Sequence, residues 1–440
     1  MKILFVHQNF PGQFLHLAPM LAARGHEVVA LRVAKSPKRE RWRGVDVHSY
    51  QPRLGSRSGI HPWVVDIETK TIRGEACWRK ARQLEDAGFT PDVIYAHPGW
   101  GESLFLKQLW PQVKVILYGE FFYAPEGADV GFDLEFASLK DEGEQSCRLQ
   151  MKNLNHLAHL GQADLVVSPT HWQASCFPSP WREGIAVVHD GIDTDVLRPD
   201  PTVKARLANG VELSRGDEVI TFVARHLEPY RGFHVFMRAL PALLHARPKA
   251  HVLIVGEDGV SYGEAPKSHR NWREFMLAEM GSQISAEDLR RVHFVGRLQR
   301  DAFTRVLQLS TAHIYLTYPF VLSWSLLEAM SIGCAIVGSD TAPVREVIDD
   351  GEQGLLIDFF DTRALVSAVE HLLADAQLRE RLGLQARQRA CERYDLMRKC
   401  LPRQVTLIES MATGSATHMD MQFGVPSDAS ENGHSISRNL

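Results

Sequence analysis

Two arginines, Arg225 and Arg231, stand six residues apart just after an apolar run at residues 219–224. A guanidinium pairs bidentately with phosphate oxygens, so two of them converging at a strand's carboxyl end could neutralise a diphosphate. The plainer alternative is a pair of surface cations. A second constellation lies in residues 311–346. There an apolar run breaks at Pro319, passes Phe320, Val321, Leu322 and the hydroxyls of Ser323 and Ser325, and becomes a helix-period run ending at Gly333. Free N–H groups and the positive dipole end of that helix would hold a phosphate. Glu328, one turn inside, would offer a carboxylate to sugar hydroxyls. Ser325 and Glu328 also fit the S-x-x-E capping box, in which the glutamate only satisfies a backbone N–H. A third candidate is His97, delivered by an apolar run at residues 92–96 to the end of the sheet where ligands of open parallel sheets bind.

The elements that must position these residues alternate. A strand over 2–7 leads through Gly12 into a helix over 15–24, ended by Gly25, and a strand over 27–31. The single Gly12 does not make the G-x-G-x-x-G dinucleotide fingerprint; it either admits backbone close to a ligand or permits a tight turn. Residues 33–78 lack regular pattern, and helical period returns over 75–87. Strands are expected over 92–96 and 114–118, the latter running into Glu120, Phe121 and Phe122. These loop aromatics are either core under a flap or a surface for an acceptor, and we favour the acceptor. A helical pattern spans 134–160, followed by a strand over 163–168, a helix over 171–177 capped by Thr170, and a strand over 185–189. A turn-rich exit (189–199) and a polar segment (200–217) mark a junction. Beyond it come strands over 219–224, 251–255, 292–295 with Arg297 and Leu298 in the following turn, 313–318, 335–337 and 354–358. Helices over 362–374, 375–393 and 394–410 complete the pattern. Repeated β-α-β units require parallel strands and right-handed crossovers, hence an α/β fold. The Ser-, Thr-, Asn- and Gly-containing tail from residue 412 is expected to be disordered.

At 440 residues the chain exceeds one core, so two α/β domains are expected, 1–199 and 200–393, with the 394–410 helix returning to the first. With 49 basic and 53 acidic residues, net charge implies neither a nucleic-acid partner nor an anionic membrane. Six cysteines without C-x-x-C spacing suit reduced thiols and a cytoplasmic address. No stretch is long and apolar enough to span a bilayer, which leaves a soluble protein or one resting on the inner face of the membrane.

The string LLEAMSIGCAIVGSDTAPVREVI, together with the exit HDGIDTDVLRP, resembles the family 4 retaining glycosyltransferases of GT-B fold, whose two Rossmann-like domains face each other across a cleft. The resemblance implies transfer of a sugar from a nucleotide-sugar to a glycan, lipid-linked or small-molecule acceptor hydroxyl, with retention and with no metal or other cofactor, in glycan, glycolipid or surface polysaccharide synthesis. It implies catalytic roles for Arg225, Arg231 and His97. It places Gly12, Arg297, Leu298, Phe320, Val321, Leu322, Ser323 and Glu328 around the donor, and Glu120, Phe121 and Phe122 toward the acceptor. Three positions depart from the family pattern. Arg231 stands where lysine is usual, and Asp190 where the exit motif has asparagine. Phe320 replaces the first of two glutamates spaced by seven residues, so either backbone N–H groups of Val321–Ser323 take over that contact with the donor sugar or donor choice differs. A GT-B epimerase or phosphorylase, or a non-catalytic nucleotide-sugar binder, are the alternative readings.

Overall fold

A computed structural model describes residues 1–53, 55–136 and 142–413. Its first half builds an eight-stranded sheet from β1 (Lys2–Val6), β2 (Glu27–Val33), β3 (Arg39–Trp42), β4 (Val45–Tyr50), β5 (Val93–Ala96), β6 (Lys114–Tyr118), β7 (Leu165–Ser168) and β8 (Ile185–Val187). The order is β3-β4-β2-β1-β5-β6-β7-β8, parallel except that β3 runs antiparallel to β4. In β1, Ile3 and Phe5 enter one core layer and Leu4 and Val6 the other. This is the continuous apolar run expected of a strand covered on both faces. A hairpin of β9 (Lys204–Arg206) and β10 (Glu212–Ser214) follows. The second half then forms a fully parallel six-stranded sheet from β11 (Val219–His226), β12 (His251–Glu257), β13 (Val292–Gly296), β14 (Ala312–Tyr315), β15 (Ile336–Ser339) and β16 (Leu355–Ile357), in the order β13-β12-β11-β14-β15-β16.

Three stretches differ from the sequence expectation. The irregular region contains β3, β4 and a helix, Val65–Asp86, that begins ten residues before the expected 75. Its buried positions, Lys70, Gly74, Cys77, Ala81 and Leu84, have helical spacing, but the first two are a cation and a glycine, so hydrophobicity hid the pattern. The polar junction is not a bare linker: Val203 and Leu213 of the hairpin are buried in the second half's core. The helix expected from 134 is seen as Glu142–Leu160; residues 137–141 lie outside the described residues. After a π-turn at Leu396–Cys400, the last helix, Leu401–Thr413, buries Leu401, Val405 and Ile408 against the first sheet. Of the expected disordered tail, 412 and 413 continue that helix, and the rest lies outside the described residues.

The halves are tied by more than the chain crossing. Residues 121–136 leave β6 and join the second half's core, where Phe132 packs on Phe359 and Phe360. Tyr230 and Tyr318 donate to Asp129 and Asp133 at 2.9 and 2.6 Å. In the other direction, Glu346 of the second half accepts the N–H groups of His171 and Trp172 at the start of a first-half helix, at 2.8 and 2.7 Å.

Candidate functional site in the cleft

On the second half's rim, Arg231 is buried and donates from Nη1 to Thr317 Oγ1 at 2.8 Å and to the Val321 carbonyl at 3.0 Å. It thus pins the loop that follows β14. Among the described residues no carboxylate bonds it, so a buried guanidinium stands beside a helix N-terminus without an anion of its own. The helix is Trp324–Ile332, and its cap is Ser323, whose Oγ accepts the Ser325 N–H. That bond removes the capping-box role for Glu328. Instead Glu328 is buried and accepts from the exposed Arg300, a partner the sequence did not suggest. Of the backbone groups expected to take over from the missing acid, the Ser323 N–H is already held by Tyr315 Oη at 2.9 Å.

Phe320 lies 4% exposed, edge-on to Phe121 at 4.6 Å and packed against Tyr230 and Tyr262. Its carbonyl accepts from Trp172 Nε1 at 3.0 Å. Where the family has an acid, this chain has an apolar plug joining the two halves. The remaining donor-side candidates are looser. Arg225 is exposed at the end of β11 and makes no hydrogen bond or ion pair among the described residues, so the two arginines do not converge on a shared partner. Arg297 is exposed, 3.9 Å from Glu257, while Leu298 packs partly into the core and Leu322 is buried.

On the first half's rim, His97 caps a short turn, accepting the Gly99 N–H on Nδ1 at 3.1 Å. The neutral ring therefore carries its proton on Nε2. That atom is buried, 3.3 Å from Glu120 Oε2 but outside hydrogen-bond geometry, and has no other partner. Trp100 and Tyr118 stack on the ring at 4.4 and 5.5 Å and fix its plane. Behind it, His7 accepts the Asn9 N–H on Nδ1 at 3.0 Å and donates from Nε2 to Gln13 at 2.7 Å; Gln13 in turn donates to Glu120 at 3.2 Å. Burial, helped by the His97 charge, pushes His7 down to about 3, so it stays neutral. Burial raises Glu120, but His97, His7 and Gln13 outweigh it and hold the carboxyl below its ordinary range. Gly12 makes this packing possible: its φ is +48°, and a Cβ there would lie 2.3 Å from the His7 ring. Phe121 faces the cleft, whereas Phe122 does not; it packs on His156 and Phe177 within the first half's core. Neighbouring residues point apart here, so only one of the two aromatics reaches the acceptor side.

Between the rims, Asp190 Oδ2 accepts from Tyr118 Oη at 2.8 Å and from Trp324 Nε1 at 3.0 Å. Burial nonetheless lifts its carboxyl to about 7. Sequence reasoning marked Asp190 only as a departure from the motif, and missed His7, Gln13 and Arg300 altogether. Their importance lies in contacts made across the fold, which no local spacing records.

Two family models match the chain, glycosyl transferase family 4 group over residues 24–197 and glycosyl transferases group 1 over residues 206–389. The chain belongs to the group 1 glycosyltransferases of family 4. Among similar proteins, a GDP-mannose-dependent alpha-(1-6)-phosphatidylinositol monomannoside mannosyltransferase of Mycolicibacterium smegmatis is 29% identical over 53% of this chain and 59% of its own. A D-inositol 3-phosphate glycosyltransferase of a Nocardioides species is 26% identical over 52% and 50%. The chain thus spans little more than half the length of these curated relatives. Its fold is GT-B. Sucrose-phosphate synthase from Thermosynechococcus elongatus superposes with a TM-score of 0.68 at 16% identity, over 94% of this chain and all of that one. Anabaena HepE, solved with UDP and glucose, gives 0.62 at 16% identity over 93% and 99%.

Proposed function

We propose that this chain moves a sugar from a nucleotide-sugar to an acceptor hydroxyl, with retention at the anomeric carbon and without a divalent metal. The observation that carries the reading is Arg231: a buried cation that bonds only neutral oxygens among the described residues, at a strand's carboxyl end and beside the N-terminus of the helix Trp324–Ile332. A buried charge without a counterion is unfavourable, so such a site is built for an anion that arrives from outside. Departure of a nucleoside diphosphate develops negative charge there, and preorganised cations and N–H groups favour that transition state over the ground state. Glu328 supports the ribose, and the His97 N–H faces the sugar. The acceptor enters from the first half's side; it is a glycan, a lipid-linked sugar or a small molecule. Among the described residues no helix is long and apolar enough to cross a membrane, so a lipid-linked acceptor would be met at a membrane face.

The test is calorimetry with UDP and GDP, followed by incubation with a panel of nucleotide-sugars to detect slow hydrolysis. Arg231→Ala should weaken nucleoside diphosphate binding by about 1.5–3 kcal/mol, a tenfold effect or more. Exposed Arg225→Ala should cost less. Turnover should survive EDTA. Unchanged affinity in Arg231→Ala would overturn the site, and loss of turnover in chelator restored by magnesium or manganese would overturn the metal-free mechanism.

A further inference from the structure

The first half's rim encloses a cavity of about 440 Å³, within the range of about 300–1,000 Å³ usual for small-molecule sites. His97 and Glu120 line it. So do residues of two helices, Val65–Asp86 and Glu142–Leu160, which pack on each other. Lys70 and Arg73, three apart on the first helix, share a face, and Lys152 reaches in from the second. Three cations thus line one wall. Among the described residues only Lys70 of the three bonds a carboxylate, Asp66, at 2.7 Å; the buried Glu102 feels the charges of Arg73 and Lys70 but bonds neither. Lys152 lies over the Tyr123 ring, 3.4 Å from its centroid, and Arg73 makes no hydrogen bond or ion pair among the described residues. Resting on the glycosyl-transfer reading of this cleft, we propose that the acceptor carries a phosphoryl group, which seats on Lys70, Arg73 and Lys152 while its hydroxyl faces His97.

Three features argue for this over a wall of solvated cations. Lys70 is only 6% exposed, which is rare for a lysine, and the carboxylate that it bonds, Asp66, is itself half exposed to solvent. The positive groups also press on one another. Burial first, and then the Lys70 charge, hold His156 well below its ordinary range, and the same two causes lower Lys152 against the pull of Asp129. An arriving dianion would relieve that repulsion. Finally, His97 Nε2, which makes no hydrogen bond among the described residues, lines the same cavity as the cations, so a ligand anchored there by its phosphate would present a hydroxyl to it.

The experiment uses protein first saturated with UDP or GDP, so that phosphate cannot occupy the donor site. Inorganic phosphate, glucose 6-phosphate and glucose are titrated by calorimetry. Co-sedimentation follows with phosphatidylcholine vesicles, with and without phosphatidylinositol. Phosphate and glucose 6-phosphate, or the phosphatidylinositol vesicles, should bind, with glucose at least tenfold weaker and plain vesicles not retained. Arg73→Gln and Lys152→Gln should each weaken that binding tenfold or more, with melting temperature and nucleoside diphosphate affinity unchanged. Should Lys152→Gln melt early, Arg73→Gln, on a half-buried side chain, carries the test. Binding of the soluble compounds alone assigns the group to a free sugar phosphate; binding of phosphatidylinositol vesicles alone assigns it to a lipid headgroup. If none of these binds, or binding survives both substitutions, in protein that takes nucleoside diphosphate normally, the phosphoryl site is wrong. Failure of UDP and GDP to bind the unaltered protein would instead remove the glycosyl-transfer reading itself.

Discussion

On the second half's rim, Thr317, Val321, Ser323 and Glu328 come from one short run of sequence, held at one point by Arg231. The first half's rim draws on His7, Gln13, Lys70, His97, Glu120 and Lys152, separated by long intervals and joined only by the fold. A loop that closes on a phosphate through backbone and a helix end needs a contiguous string, because turn geometry and helix start are local properties. A pocket that recognises an acceptor needs only side chains that meet in space. One rim can therefore be recognised as a pattern, and the other exists only once the sheet has ordered its strands.

The contrast breaks first at Phe320, the one position where the local rim depends on distant packing. Phe320→Ala should destabilise the protein by about 3–5 kcal/mol, since it empties a cluster of Phe121, Tyr230 and Tyr262 that spans the halves. Chemical denaturation measures this. A loss below ~1 kcal/mol would mean that the halves do not rely on the plug. Next in size is Glu328→Gln. The capping bond belongs to Ser323, and the Arg300 partner is half exposed, so stability should barely change. Affinity for the nucleotide-sugar should fall about tenfold, ~1.4 kcal/mol, because an amide matches two ribose hydroxyls less well than a carboxylate. A lowered melting point with normal affinity would return Glu328 to a purely structural role.

The smallest effect concerns Asp190, half-buried and partly screened. Its carboxyl titrates near 7 in the folded protein against 3.8 ordinarily, so the folded state holds the proton more tightly than the unfolded chain does. That contribution to stability is complete below about pH 4 and is lost as pH rises toward 7. Asp190→Asn cannot titrate. Its melting temperature relative to the unaltered protein should therefore climb between pH 4 and 7 and level off above. A difference that stays flat across this interval would show that Asp190 is not held protonated by its surroundings.

Most of the sheet framework could be read from apolar runs bounded by glycine and proline, because strands buried on both faces write themselves as continuous hydrophobic sequence. The second half's rim was readable as a pattern through its string and through the spacing of Arg225 and Arg231, although only Arg231 is built into the loop. The cavity wall of the first half was not readable. Lys70 and Gly74 occupy inward positions of a helix whose apolar period they interrupt, because Lys70 lines the cavity and Gly74 seats against the Gly101 carbonyl. Phe121 and Phe122 stand side by side in the sequence, yet adjacent residues diverge, and sequence does not say which one turns toward the cleft. Asp190 stands out in the sequence only as a departure from the exit motif; its two donors come from opposite halves, and that meeting has no sequence signature.

A Cβ on Gly74 would lie 2.7 Å from the Gly101 carbonyl, and a Cβ on Gly101 would lie 2.6 Å from Lys70 backbone and side-chain atoms. The helix bearing Lys70 and Arg73 is thus seated directly on the turn that carries His97, backbone against backbone. Hinged closure of the two halves would carry that helix and that turn together, like jaws machined from one block. The distance between the anchoring cations and the imidazole would then be a fixed gauge, selecting acceptors by the span from their charged group to their reactive hydroxyl, whatever the opening of the cleft.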